Sequence, residues 1–327
     1  MSGAPFEHAP VMADEIVGLF GPVPPGYLLD ATLGGGGHAE RLLDAHPHLR
    51  LLGIDRDPDA LEAARLRLAR FGDRVVTYRC RFDHLAIAME ALSVDVLSGA
   101  LFDLGVSSPQ LDRAERGFSY RNDGPLDMRM DPDQPWSAAD VVNGYTDAEL
   151  VRVLRDLGDE RFAARIARAI VSSRPIESTA QLSEIVVAAI PAATRRTGGH
   201  PARRTFQAIR IEVNGELDAL PVALDAAIQR TVVGGRVGVL SYHSGEDRVT
   251  KRTFQRAVAG DCTCPPELAC ICGAVQTVRV VRRIAATPSA AEQASNPRST
   301  SARLRAVERI APASGSTRDS APTSAQD

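Results

Sequence analysis

Apolar residues gather in five short runs, at 27–29, 51–54, 75–78, 97–102 and 236–240. These runs are hydrophobic at most positions rather than at alternate ones, which predicts strands covered on both faces of a parallel sheet. Between the second and third runs the period becomes helical. Leu61, Ala64, Leu68 and Phe71 fall on one face, Asp57 is placed to cap, Pro58 suits the first turn and Gly72 ends the segment. Strand and helix alternating at this rhythm predict an α/β domain.

The alternation stops after residue 102. "TDAELVRVLRDLG", "ERFAARIARAIVSSR" and "STAQLSEIVVAAIP" read as successive amphipathic helices, the last opening on a Ser178–Thr179 cap signal. Strand-like sequence resumes at Gly235. The simplest architecture is a sheet domain in two pieces, 1–109 and 213–310, with a helical substrate-binding domain, 110–212, inserted between its fourth and fifth strands. The stretch 311–327, "APASGSTRDSAPTSAQD", has almost no large apolar residue and predicts a disordered tail.

Composition adds limits. Of 327 residues, 44% are apolar, enough for a sizeable core. No apolar run reaches membrane-spanning length and no basic segment precedes an apolar one at the start. The expectation is a cytoplasmic protein with no membrane partner. Net charge is only −3, yet the stretch 191–211 has no acid and carries Arg195, Arg196, Arg203, Arg204 and Arg210. A second group holds Arg279, Arg282 and Arg283. Such local faces bind phosphates within a near-neutral protein, and a solvated helix face accounts for the same charges equally well. Cys80 sits in a strand-like run and reads as core. Cys262, Cys264, Cys270 and Cys272 form C-x-C-x5-C-x-C. Disulfides are not expected in a cytosolic chain, so the four suit a structural zinc ion or stay reduced and unliganded.

The candidate chemistry starts at "DATLGGGGHA", residues 30–39, which follows the first strand and opens a helix. Bare backbone lets a ligand approach, and the helix start offers free N–H groups. Asp55 ends the second strand, placed to accept hydrogen bonds from ribose hydroxyls. Together these point to an adenosine-containing cofactor. Gly34, Gly36 and Ala39 fit the dinucleotide pattern, so NAD is a rival; Asp30 favours S-adenosylmethionine, whose ammonium group can use a carboxylate. The fourth strand ends in Asp103, at the edge where open α/β sheets bind ligands. Gly105 and the turn at Ser107, Ser108 and Pro109 let a flat group approach, and no proton donor for a nicotinamide stands out.

These residues carry a resemblance. "HAPVMADE", "DATLGGGGHAERLL", "GIDRDPDAL", "DLGVSSPQLDRAERGFSYRNDGPLDMRMD", "HPARRTFQAIRIEVNGEL", "GGRVGVLSYHSGEDRVTK" and "SNPRSTSARLRAVER" resemble the RsmH (MraW) family of bacterial 16S ribosomal RNA cytosine-N4 methyltransferases. The likeness covers nearly the whole chain, leaving out the cysteine cluster and the tail. It implies a class I, Rossmann-like methyltransferase sheet with an inserted all-helical domain. It implies that Gly36, Gly37, His38, Asp55, Phe82, Asp103 and Gln110 line the S-adenosylmethionine site. The implied substrate is cytidine 1402 of 16S rRNA in the small (30S) ribosomal subunit, with a homodimer left open.

Cytosine N4 is a weak nucleophile, because its lone pair is delocalised into the ring. An enzyme must orient the amine and accept a hydrogen bond from it as charge develops. Asp103 is the candidate acceptor, Tyr120 or Phe118 the candidate stacking ring, and the base must be flipped or single-stranded. Arg195, Arg196, Arg203 and Arg204 are candidates for RNA phosphates, and His243 for the substrate pocket's border. Ser241, His243 and Ser244 lack the turn a hydrolase nucleophile needs. Thr263–Cys264 resembles a cytosine-C5 nucleophile but lies in the cysteine cluster. The rival classes are an NAD-dependent dehydrogenase and a noncatalytic RNA-binding protein.

Overall fold

The computed structural model describes residues 10–194, 199–260, 262–265, 271–282, 284 and 286–312. Seven strands form one sheet: β1 (Gly26–Asp30), β2 (Leu49–Asp55), β3 (Val75–Arg79), β4 (Leu97–Asp103), β5 (Thr231–Ser241), β6 (Val278–Val280) and β7 (Arg303–Arg309). Their order is β3-β2-β1-β4-β5-β7-β6. The first five run parallel, whereas β7 pairs antiparallel with β5 and with β6.

Helices cover both faces, and the alternation of side chains along each strand decides which residue meets which layer. Leu28, Leu101 and Leu240 face α1 (Ala13–Phe20) and α2 (Gly37–Ala45), with Ile16, Phe20 and Leu42 in the same cluster. Leu51 packs beside them against α3 (Pro58–Leu68) through Leu61 and Leu68. Leu29, Ala100, Phe102 and Val239 face α4 (Leu85–Ala91), and Leu220, Leu224 and Phe254 join them there. Burial on both faces is why β1, β2 and β4 read as continuous apolar runs.

Between β4 and β5 the chain is helical: α5 (Ser108–Asp112), α6 (Ala138–Gly144), α7 (Asp147–Asp156), α8 (Ala163–Ser172), α9 (Thr179–Ala189), α10 (Arg203–Asn214) and α11 (Glu216–Arg230). A core separate from the sheet's runs from Phe118 to Val213, with Leu154, Ile166, Leu182 and Ile209 fully buried in it. α11 belongs instead to the sheet's far face. Two more helices complete the chain, α12 (Ser244–Val258) and α13 (Ala290–Ser295).

The five expected strands and the three quoted helices are present. The caps at Asp57 and Ser178 accept from Asp59 N at 3.1 Å and Gln181 N at 3.3 Å. Three readings need correction. α3 stops at Leu68 and a tighter 3-10 turn carries Phe71, with Gly72 at φ 53°. β6 and β7 were not anticipated: β6 is three residues long, and β7 is charged at four of its seven positions. Cys80 lies just past β3 and is only partly buried. The tail from 313 lies outside the described residues, as do Arg195, Arg196, Cys270 and Arg283.

The helical insert meets the sheet side through the buried Arg56, and Asn214 braces the end of α10 that receives it. The Asn214 side-chain amide donates to Met128 O at 2.7 Å and to Arg210 O at 2.9 Å, and its Oδ1 accepts from Met130 N at 2.9 Å. The buried Arg56, beyond β2, donates to Asn214 O at 3.0 Å. Truncating Asn214 orphans buried backbone groups on the 128–130 segment, each costing about 1–3 kcal/mol. Asn214→Ala is therefore expected to lower unfolding free energy by about 2–4 kcal/mol. Chemical denaturation checks this; a loss below about 0.5 kcal/mol would remove Asn214 as that brace.

Candidate active site

The order of strands reverses between β1 and β4, and a ligand in an open α/β sheet binds beyond the strand ends at such a switch point. Here that place is a cleft of about 960 Å³. It is bounded by the glycine turn, the 103–112 segment, the start of α10 and the 296–301 turn. Three neighbouring strands end in aspartate there: β1 in Asp30, β2 in Asp55 and β4 in Asp103. Register makes this unavoidable, because Asp30 pairs with Gly53 on one side and Leu101 on the other.

Each acid is held differently. Asp30 is 2% exposed and accepts from Thr32 N at 3.2 Å. Burial, reinforced by Asp103 and Asp55, pushes its carboxyl up to about 7 against the pull of His38. Asp55 accepts from Gly34 N at 2.8 Å and from Asp57 N at 2.9 Å, and burial raises it despite those bonds. Asp103 is the most open of the three, its side chain 28% exposed. Its Oδ1 accepts from the Tyr242 hydroxyl at 2.7 Å, and its Oδ2 lies 3.4 Å from His38 Nε2. Its own N–H donates to Thr32 Oγ1 at 2.7 Å, tying the end of β4 to the glycine turn.

The turn explains its glycines. Gly34 and Gly36 take φ of 51° and 77°, which residues with a Cβ rarely adopt. Gly34, Gly35 and Gly37 line the cleft, whereas Gly36 faces away and packs against Ala64 and Leu68 of α3. Gly36 is thus a close-packing residue rather than a cleft wall. His38 follows on α2, buried, with both ring nitrogens lacking a hydrogen-bond partner among the described residues. Phe82 lines the opposite wall, edge-on to Phe102 at 6.1 Å between centroids.

Gln110 also lines the cleft, but its amide is committed to protein partners. Its Nε2 donates to Asp57 Oδ2 at 3.0 Å and its Oε1 accepts from Ser107 N at 3.0 Å. Asp57 in turn meets Arg116 at 2.8 Å. Gln110 therefore sets the 107–112 turn against the start of α3. His243 is similarly engaged: it caps α12 through Gly245 N at 3.2 Å, and its Nε2 lies 3.1 Å from Glu246 Oε1. Burial works against the Glu246 charge, but His243, Arg210 and the Tyr242 N–H hold its carboxyl below the usual range. Arg203 reaches the cleft, while Arg204 donates to Asp159 O at 3.0 Å outside it. Both candidate stacking rings line the cleft; Phe118 is buried in the insert core, whereas Tyr120 stacks on His200 at 4.6 Å. Cys262, Cys264 and Cys272 lie together beyond α12, and none of them lines the cleft.

The sequence pattern missed Thr32, Asp57, Arg116 and Tyr242. Asp57 was legible only as a helix cap, and Tyr242 had a signal in its place directly after the fifth strand, where cleft residues fall.

This donor set discriminates between cofactors. Three carboxyls converge on the cleft floor, and the Gly34 N–H that would meet a pyrophosphate is taken by Asp55. A dianionic dinucleotide is repelled there, whereas a ligand bearing a sulfonium and an ammonium supplies the missing positive charge. The open glycines leave room for such a ligand. Cysteine chemistry is poorly served, since burial, with help from Asp83 and Asp55, pushes the cleft thiol of Cys80 up to about 12.

Strand order and site together define a class I, S-adenosylmethionine-dependent methyltransferase. The chain belongs to the MraW methylase family, whose model matches residues 5–310. It is 52% identical over 308 residues to ribosomal RNA small subunit methyltransferase H of Thermobifida fusca, covering 92% of this chain and 93% of that one. It is 50% identical over 310 residues to the protein of the same name from Symbiobacterium thermophilum, covering 93% and 97%. A solved rRNA methylase from Streptococcus thermophilus is similar with a TM-score of 0.40 and 11% identity, covering 91% of this chain and 94% of that one. Among the described residues no helix is long and apolar enough to cross a membrane.

The raised Asp30 makes a pH-dependent prediction. Its carboxyl titrates near 3.8 when unfolded and about 7 when folded. Between those values the unfolded chain releases the proton and the folded one keeps it, so this group's contribution to stability falls as pH rises from about 4 to about 7. Above 7 the loss is complete and the contribution is flat. Asp30→Asn cannot ionise and is expected to flatten that slope relative to the parent. Denaturant midpoints at several pH values check this; parallel curves for both proteins would refute it.

Proposed function

We propose that the chain transfers the methyl group of S-adenosylmethionine to the N4 amine of a cytidine in small-subunit ribosomal RNA, the one at position 1402 of 16S rRNA. The observation that carries the reading is the Asp103 carboxylate, fixed by Tyr242 and left open to the cleft between the glycine turn and the 104–110 segment. The names of the curated relatives support the substrate class.

The cofactor supplies an electrophilic methyl on a sulfonium, which departs as a neutral thioether. Asp30 and the glycine turn hold its amino-acid part, Asp55 its ribose and Phe82 its adenine edge. Asp103 Oδ2 accepts one N4–H bond of the cytosine. That directs the nitrogen lone pair toward the methyl and stabilises the positive charge growing on nitrogen. The proton displaced from nitrogen passes to the Asp103 carboxylate and then to water. Tyr242 holds the other carboxylate oxygen, so Asp103 presents the same face at each turnover. Tyr120 and His200 give the base a flat wall, and Arg121, Arg203 and Arg298 on the cleft lining receive flanking phosphates.

The test supplies methyl-labelled cofactor to small subunits from cells lacking this gene, followed by digestion to nucleosides. Label in N4-methylcytidine at the one position supports the reading; label at C5, or in another nucleoside, overturns it. Asp103→Ala is expected to lower kcat by about 10²–10³ while cofactor affinity stays within about tenfold. Tyr242→Phe, which removes one hydrogen bond to a charged group, is expected to lower kcat about tenfold with KM for RNA unchanged. Single-turnover rates and calorimetric titration separate these effects, and undiminished turnover in Asp103→Ala would remove its role. Replacing Arg203 and Arg204 together by Ala is expected to weaken RNA binding and to lower the salt slope by about one per lost phosphate contact. An unchanged slope would place the RNA elsewhere.

A further inference from the structure

The connection from α12 to β6 carries the cysteine cluster. It turns back on itself, since a side chain at Gly260 would run into the Val275 carbonyl. Gly260 and Gly273 take φ of 66° and 73° at its two ends. Among its described residues no large apolar side chain is buried: Ile271 is 92% exposed and Val275 59%. A segment with little buried apolar surface is commonly ordered by a covalent or metal staple.

The thiols are where such a staple would be. The sulfurs of Cys262, Cys264 and Cys272 lie within 4.8 Å of one another. Cys262 and Cys272 Sγ are 3.6 Å apart, too far for a bond between them. Two thiolates on a tetrahedral zinc ion, with Zn–S near 2.3 Å, sit about 3.8 Å apart. The cluster also follows the C-terminal end of α12, where Cys262 N donates to Ala259 O. That end carries partial negative charge, which disfavours bare thiolates and favours a cation.

We propose that Cys262, Cys264 and Cys272 bind a structural zinc ion that clips the α12–β6 connection and sets β6 on the sheet edge. The three thiols are too soft a set for magnesium or calcium. Zinc binding releases the thiol protons to water as the thiolates ligate. The remaining tetrahedral position is left to a fourth ligand. The clip lies outside the cleft, so it shapes the sheet edge and takes no part in methyl transfer.

The experiment uses the full chain, purified without chelator from zinc-supplemented cells. Elemental analysis is expected to find about one zinc per chain. Cys262→Ser, Cys264→Ser and Cys272→Ser are each expected to reduce that content, and the triple variant to abolish it, with cofactor titration unchanged as evidence of folding. Removing zinc and adding cobalt(II) is expected to give the charge-transfer and visible bands of a tetrahedral cobalt–thiolate site, displaced by zinc. Stoichiometric iron, no metal in the parent, zinc retained by the triple variant, or no cobalt bands would each overturn the proposal.

Discussion

Three adjacent parallel strands end in aspartate, and no feature of the molecule constrains the rest as much. Parallel pairing in register brings Asp30, Asp55 and Asp103 to one edge of the sheet, where strand carbonyls also point. Like charges brought so close in a desolvated place cannot all ionise freely, and the protein answers in three ways. Asp30 is buried and keeps its proton up to about 7. Asp55 is given two backbone N–H donors. Asp103 is turned partly to solvent and held by a tyrosine. The site is therefore short of positive charge before any ligand arrives, which decides in favour of a cationic cofactor.

Around that edge the chain spends polar contacts on position rather than on chemistry. Thr32 ties β4 to the glycine turn, Gln110 ties the 107–112 turn to Asp57, and Arg116 closes that pair. Arg56 fastens the helical insert to the sheet side where α10 ends, and Asn214 braces that end. These contacts reach across 53 to 158 positions of sequence. They hold the insert over the strand ends, so that one cleft is shared by two separate cores.

What could be read from the residues follows from how local each cause is. The continuous apolar runs gave away β1, β2 and β4, because burial on both faces is written into the strand itself. Asp57 and Ser178 announced their helices because a cap acts within three residues. β7 was hidden, since four of its seven residues, Arg303, Arg305, Glu308 and Arg309, are charged, and pairing with β5 and β6 makes it a strand. The roles of Gly36 and Gln110 were hidden for the same reason. A glycine that faces α3 and one that faces the cleft look alike in a run of four. Gln110 could be placed beside the cleft, but its commitment to Asp57 depends on a contact 53 residues away. His243 looked like a substrate contact in "SYHSGEDR", yet its ring caps α12 and meets Glu246, an interaction visible only once the loop is folded.

The fate of the sulfurs bears on the proposed choice of N4 over C5 as the methyl acceptor. Attack through C5 requires a thiolate beside the cofactor to add to the ring first. The described cleft lining holds one thiol, Cys80, and burial beside Asp83 and Asp55 keeps it protonated far above neutral pH. Burial, with Asp83 and with Asp55 of the cofactor side, therefore suppresses the nucleophile that C5 chemistry needs. An exocyclic amine asks for the opposite environment: a fixed carboxylate to accept its hydrogen and negative surroundings to stabilise its growing charge. Asp103 among its neighbouring acids offers both, so the proposed transfer to N4 and a cationic cofactor call for the same electrostatic arrangement.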